Sequence, residues 1–313
     1  MVESMEHLSR RALLSCSLAL PLLAKPNKIT FSRISAITDE IATTPEEAIQ
    51  FAQKYGMKWL ELRGTPGAKS TSYHLLDDDK LKAASKQFSD AGVRISFLNT
   101  PLLKHWLPGT TIKLNRPDTP EAKKRREEGG QRLYDRRLED LQKSIRAAHL
   151  LGVDKLRLFT FSRVEDPGTI LPRIADIIGE MSKVAEREKI QLLVENENSQ
   201  NVISCQETAA LLKLIPSKAV GVNWDPDNGT KLQEPAYPDG YRRLPIKRIA
   251  NVQMKGKSLL DGYTEKLDWK EIFAGLEQDG YKGQVGLETH IFGPQLIEHS
   301  HTCIQKLKAM LAS

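Results

Sequence analysis

The sequence predicts an α/β fold, a single (β/α)8 barrel, on three observations. From residue 28 onward, eight short apolar runs rich in β-branched residues alternate with longer segments of helical period; no pair of runs is close enough to form a hairpin; and glycines stand where helices hand over to strands. Strict alternation of this kind builds a parallel sheet, and eight parallel strands close on themselves. A length of 313 residues allows two domains of about 150 residues or one large barrel. The unbroken alternation selects one barrel over residues 28–313, behind a distinct segment at 1–27.

Taken in order, the strands are expected at Ile34–Thr38, Trp59–Leu62, Val93–Leu98, Lys155–Phe161, Ile190–Glu195, Val220–Asp225, Ile249–Lys255 and Gln284–Glu288. The first helix opens on Thr44-Pro45-Glu46-Glu47, a capping box with Pro at the first helical position, and Asp268 can cap the helix that begins at Trp269. Gly56, Gly92, Gly152 and Gly280 can each end a helix or turn the chain into a strand. After the third strand the connection Asn99–Pro120 runs for 22 residues with four prolines. In a barrel it lies on the C-terminal face, where loops of this length cover substrate sites. Its His105 and Trp106 can line such a site, or pack the loop over the mouth without touching substrate. The basic pairs Lys123-Lys124, Arg125-Arg126 and Arg136-Arg137 are mixed with Glu127, Glu128, Glu139 and Asp140, as on a solvated helical face.

Composition removes several classes of function. With 40% hydrophobic and 27% charged residues, and only 20 Gly and 16 Pro, the chain is neither collagen-like nor disordered throughout. The net charge of +6 is spread among acids rather than gathered in a block, so it speaks to solubility and not to a nucleic-acid partner. Cys16, Cys205 and Cys303 lie far apart without CxxC spacing, which argues against a disulfide framework and a cysteine zinc site. Over residues 1–27, Arg10-Arg11 precedes an apolar stretch from Ala12 to Ala24, too short for the ~20 residues a membrane-spanning helix needs. This is the anatomy of an export signal of twin-arginine type, implying a periplasmic or otherwise exported protein with no stable membrane insertion once the signal is removed. The alternative is an amphipathic N-terminal helix or tail on a cytosolic protein.

Polar residues at the C-terminal ends of barrel strands are the leading candidates for chemistry. Glu195 ends the fifth strand, Asp225 the sixth and Glu288 the eighth, with Gln253 late in the seventh; successive members are 30, 28 and 35 residues apart, about one βα unit each. Strand ends spaced in this way converge. Three carboxylates in one partly dry mouth repel by several kcal/mol unless protons or a cation neutralise them, and a divalent metal is the economical cation. Each residue alone has a plainer reading, as a helix cap or solvated loop residue, and Asp225 before Pro226 can simply start a turn. Lys255 shares a strand face with Gln253. It can neutralise excess charge, polarise a substrate oxygen, or form a salt bridge to Asp225 or Glu288. Glu61, Arg63 and Asn99, near the ends of the second and third strands, are candidate substrate ligands by position. Trp224 can stack on a substrate or fill the core.

The strand order together with Val194-Glu195-Asn196, Trp224-Asp225-Pro226-Asp227-Asn228 and Gly286-Leu287-Glu288 resembles the xylose isomerase-like TIM barrel superfamily. That superfamily includes ketose 3-epimerases, inosose isomerases and dehydratases, and hydroxypyruvate isomerases. The resemblance implies one divalent metal held by Glu195, Asp225, Gln253 and Glu288, with Gln253 in place of the usual histidine ligand and Asn228 in place of a substrate-binding histidine. Such an all-oxygen set favours Mn2+ or Mg2+ over Co2+ or Zn2+. The resemblance further implies that Glu195 and Glu288 exchange a proton beside a carbonyl through an enediolate, in an isomerase or epimerase of a keto-sugar or related polyol. Barrels of that superfamily are often homo-oligomers, dimers or tetramers, and the sequence itself does not fix the oligomeric state. Two other functions share these residues: a lyase or dehydratase that eliminates from a keto-glycoside, and an exported, non-catalytic carbohydrate-binding barrel.

Overall fold

A computed structural model describes residues 28–67, 70–263 and 267–312. The expected export signal over residues 1–27, with Cys16, lies outside the described residues. Thr44 caps the helix Pro45–Tyr55, accepting a hydrogen bond from the Glu47 amide. The Glu47 carboxylate, however, reaches past the cap to the backbone N–H of Thr43 at 2.9 Å, so the reciprocal bond of a capping box is made one residue early. Asp268 caps the helix Trp269–Gln278 through the amides of Lys270 and Glu271. Gly56 and Gly152, at φ of 73° and 69°, supply the left-handed turns that end helices Pro45–Tyr55 and Arg137–Leu151.

The strands are β1 (Ile34–Ala36), β2 (Trp59–Leu62), β3 (Arg94–Leu102), β4 (Lys155–Leu158), β5 (Gln191–Glu195), β6 (Val220–Trp224), β7 (Ile249–Lys255) and β8 (Val285–Glu288). All pair in parallel in one eight-stranded sheet, and a parallel bridge between Ile37 and Glu61 closes β1 against β2. The expected (β/α)8 barrel is thus the observed fold. The fourth strand ends at Leu158 and the first at Ala36, both earlier than expected. The largest departure is at β3, which runs on through Pro101 to Leu102 and pairs with Leu158 of β4. The polar step Asn99-Thr100 breaks the apolar run, so the strand looks shorter in sequence than it is. Trp106, beyond it, is fastened to the outside: its ring lies over Gly130 of the helix Pro120–Asp135, and its Nε1 donates to the Thr110 carbonyl at 2.8 Å.

Register decides what meets at the top of the barrel. In the parallel ladder Glu195 stands opposite Asn223, Gln253 opposite Gly286, and Lys255 opposite Glu288. A buried polar layer fills the bore: Glu61 accepts from Ser35 Oγ at 2.9 Å and Asn99 Nδ2 at 2.9 Å, with Asn251 Nδ2 at 3.4 Å. Gly286 makes room for it, because a Cβ there would run into the Glu61 carboxylate. Among the described residues no helix is long and apolar enough to cross a membrane. Gly286→Ala is therefore expected to overpack the bore and lower stability by about 1–3 kcal/mol. Urea unfolding checks this, and an unchanged midpoint would show that the layer is looser than drawn.

Candidate active site

Four successive strand ends, β5 to β8, bring their polar residues to one place. Glu195 closes β5, where its Oε2 accepts from Asn223 Nδ2 at 2.7 Å and from Arg157 Nη1 at 3.3 Å. Asp225 follows β6 and caps the short helix Pro226–Gly229, its Oδ1 accepting from the amides of Asp227 and Asn228 at 2.9 and 3.3 Å. Its other oxygen, Oδ2, lies 2.8 Å from Lys255 Nζ. Glu288 closes β8 and offers Oε2 to the same ammonium at 2.7 Å, while its Oε1 accepts from Arg63 Nη1 at 3.0 Å. Lys255 is 4% exposed and Asp225 is fully buried, so this is an ion triad taken out of water.

The electrostatics follow from that burial. Desolvation pushes Asp225 up to about 7, against the pull of Lys255 and with Glu195 and Glu288 adding to the rise. Burial opposes the charge on Lys255, yet Asp225, Glu288 and Glu195 together hold the ammonium proton well above its ordinary value. Glu288 is also buried, but Lys255, His290 and Arg63 keep it well below the usual carboxylate range. Three carboxylates therefore face three cationic side chains: Glu195 meets Arg157, Asp225 meets Lys255, and Glu288 meets Lys255 and Arg63.

The residues present can be tested as a divalent-ion site. Asp225 has both oxygens committed, to two backbone amides and an ammonium, and Glu288 has both committed to Lys255 and Arg63. Among the four expected ligands the buried Gln253 Oε1 has no hydrogen-bond partner, and Asp225 Oδ2 meets only the Lys255 ammonium, as an ion contact at 2.8 Å without a hydrogen bond. Among the described residues no group of three or more His, Cys, Asp or Glu is placed to hold an ion. A 2+ ion brought to 4 Å from the ammonium would also be repelled by about 8 kcal/mol at an effective dielectric of 20. The expected divalent-ion set is thus brought together with an ammonium, Lys255, standing among its members.

The other candidates divide. Arg63 belongs to the cluster, bridging Glu288 to Asp39 and Glu40 at 3.0 and 2.8 Å. Asn228 is beside it but faces inward, donating from Nδ2 to the Asn196 carbonyl at 2.9 Å. Glu61 and Asn99 bond to each other in the buried layer of the bore instead of lining the mouth, since their alternation on β2 and β3 puts them inside the sheet. His105 and Trp106 take the packing alternative. The His105 ring meets Phe161 edge-on and lines a cavity of about 200 Å3 on the barrel's flank, with His74, Leu133 and Asp140. Trp224 is a core residue, packed 5.1 Å from the Tyr241 ring. Sequence reasoning missed Arg157 and Asn223, the two partners of Glu195. Their signal is a polar side chain in an otherwise apolar strand, Arg157 in Lys155–Leu158 and Asn223 in Val220–Trp224. It also missed Asn196, which exchanges two hydrogen bonds with the Asp225 backbone at 2.7 and 2.8 Å and so sets where that carboxylate stands.

Comparison with known proteins agrees with this architecture. A family model described as xylose isomerase-like TIM barrel matches residues 49–307. A D-psicose 3-epimerase from Clostridium cellulolyticum H10, solved with D-tagatose, has 14% identity and a TM-score of 0.63, over 90% of this chain and 97% of that one. A 3-keto-D-glucoside 4-epimerase from E. coli has 14% identity and a TM-score of 0.62, over 90% and 98%. The IolI protein, solved with a zinc atom, has 13% identity and a TM-score of 0.62, over 90% and 96%. At these identities the likeness is one of fold. No curated protein matches the chain.

Removing the ammonium exposes the cost of the triad. Lys255→Met is expected to lower stability by about 3–5 kcal/mol at pH ~8, because two buried carboxylates lose their shared partner. The deficit should shrink at pH ~6. A carboxyl whose folded-state pKa is raised takes up a proton more readily when folded, so its penalty fades as pH falls. Urea unfolding at the two pH values reads both effects, and a deficit independent of pH would mean that Asp225 is not carried as a carboxylate against Lys255.

Proposed function

Since the chain belongs to the xylose isomerase-like TIM barrel family, we propose that it is an isomerase or epimerase of a keto-sugar or related polyol, moving a proton on a carbon beside a carbonyl. The observation that carries the reading is the arrival of Glu195 and Glu288, from β5 and β8, at one barrel mouth with Lys255 and Asp225 between them. Proton transfer next to a carbonyl needs a base on one side of the carbon, a donor on the other, and positive charge where the oxygen turns anionic. Glu195 and Glu288 stand on strands separated by two others around the ring, as a base and a donor flanking one substrate carbon require.

Each glutamate is held in place by a cation and by neighbours of fixed geometry. Arg157 and Asn223 hold Glu195 by one oxygen, leaving the other for the substrate proton. Lys255 and Arg63 keep Glu288 ionised, as an acceptor must be. The zinc-bearing relative suggests a divalent metal, but at this mouth the Lys255 ammonium already contacts Asp225 and Glu288. The fold's similarity to a 3-keto-D-glucoside 4-epimerase and a D-psicose 3-epimerase supports a substrate with several hydroxyls and one carbonyl. Export forms part of the same proposal and rests on the Arg10-Arg11 pair and the apolar run that follows it.

Solvent exchange tests the reading directly. Incubated in D2O with a panel of ketoses and keto-glycosides, the protein should place deuterium on a carbon next to the carbonyl, detected by mass spectrometry. Glu195→Gln and Glu288→Gln should each slow this by about 10²–10⁴-fold while leaving the fold intact. An unsaturated sugar as product would point to elimination instead. No exchange on any member of the panel would end the proposal.

A further inference from the structure

We infer that Lys255 is the cation of this site: its ammonium stands where a divalent ion would have to be held, and donates to the oxygen of the substrate as that oxygen becomes anionic. Within the proposed proton transfer, on which the catalytic half of this inference rests, Lys255 is then a catalytic residue and the reaction runs without a divalent ion.

Three observations carry it. The ammonium touches two of the four expected ligands at 2.8 and 2.7 Å, nearer than a second cation would permit. Each of the three expected carboxylate ligands already has a cation at 3.3 Å or less, Lys255 on Asp225 and Glu288, Arg63 on Glu288, and Arg157 on Glu195. An ammonium has three N–H donors, and Lys255 donates one to Glu288 while lying 2.8 Å from Asp225 Oδ2 as an ion pair. On the same inward face of β7, two residues before it, the buried Gln253 Oε1 has no partner among the described residues. One donor and one acceptor are therefore uncommitted side by side, which suits a carbonyl oxygen together with the hydroxyl next to it.

The step balances without any further reactant. One glutamate takes the proton from the carbon, the C–H electron pair moves into the C=C bond of the enediolate, and the carbonyl pair settles on oxygen. That oxygen accepts a hydrogen bond from Lys255 Nζ, which keeps its own proton. The second glutamate enters the step protonated and delivers that proton to carbon, which restores the carbonyl; exchange with water then resets both glutamates, and no bond to nitrogen forms at any stage. The residue works as a fixed charge and a donor.

Divalent-ion binding by the wild-type protein decides the matter. After dialysis against EDTA, the protein is titrated with MnCl2, free Mn2+ being read by electron paramagnetic resonance and stability by thermal unfolding. The expected result is less than about 0.1 equivalent bound at about 1 mM Mn2+, with no rise in the unfolding midpoint. Deuterium exchange should proceed at the same rate with or without EDTA. Stoichiometric binding of Mn2+ with a raised midpoint would overturn the inference, and so would exchange that EDTA abolishes and Mn2+ restores. Absence of exchange under both conditions would instead sink the proposed proton transfer and, with it, the catalytic part for Lys255, while the titration would still decide which cation the site is built for.

Discussion

An ammonium buried between two carboxylates sets the terms for the rest of this barrel mouth. Taking Asp225 and Glu288 out of water is costly, and the cost is tolerable only because Lys255 lies within hydrogen-bond distance of both. Everything around the triad keeps that distance. Asn196 holds the Asp225 backbone through two hydrogen bonds, and the amides of Asp227 and Asn228 hold its free oxygen. Arg63 holds the far oxygen of Glu288 and is itself held by Asp39 and Glu40.

The parallel register is what makes this possible without long or flexible side chains. Lys255 pairs with Glu288 across one ladder, so the contact between β7 and β8 is a nearest-neighbour one, and Asp225 is reached from the adjoining strand. In a parallel sheet every strand end points the same way, and residues one βα unit apart in sequence become neighbours in space. Moving Lys255 by one residue along β7 would turn it out of the bore, because side chains alternate between the two faces of a strand.

Strand ends were the legible part of this sequence. The positions of Glu195, Asp225, Gln253 and Glu288 follow from spacing alone, and their convergence needs only a closed sheet. Spacing does not reveal which cation answers the three carboxylates. Lys255 was among the candidates, but its reach to Asp225 and Glu288 at once depends on register and on the length of its stem, neither of which a linear pattern records. The partners of Glu195 were hidden for a related reason. Arg157 and Asn223 sit inside apolar strands, where a single polar residue reads as an interruption and not as an inward-facing ligand. His105 and Trp106 went the other way: a long proline-rich loop suggests a lid, yet Gly130 gives Trp106 a seat on the neighbouring helix that no periodicity announces.

Beneath the mouth a second arrangement ties the strands together and bears on how Glu195 is aimed. Asn251 donates to Asn223 Oδ1 at 3.0 Å, and Asn223 donates from its nitrogen to Glu195 at 2.7 Å. With its oxygen accepting from one side and its nitrogen donating to the other, the Asn223 amide has a single sensible orientation. The same Asn251 nitrogen lies 3.4 Å from Glu61, so the relay begins at one buried carboxylate and ends at another. Burial raises the proton affinity of Glu61, and its hydrogen bonds from Asn99, Ser35 and Asn251 pull it back. An amide relay of this kind transmits no charge, but it does fix direction: Glu195 cannot turn without unpairing Asn223, and Asn223 cannot turn without unpairing Asn251. The bore is thereby part of what holds the Glu195 carboxylate at a constant angle.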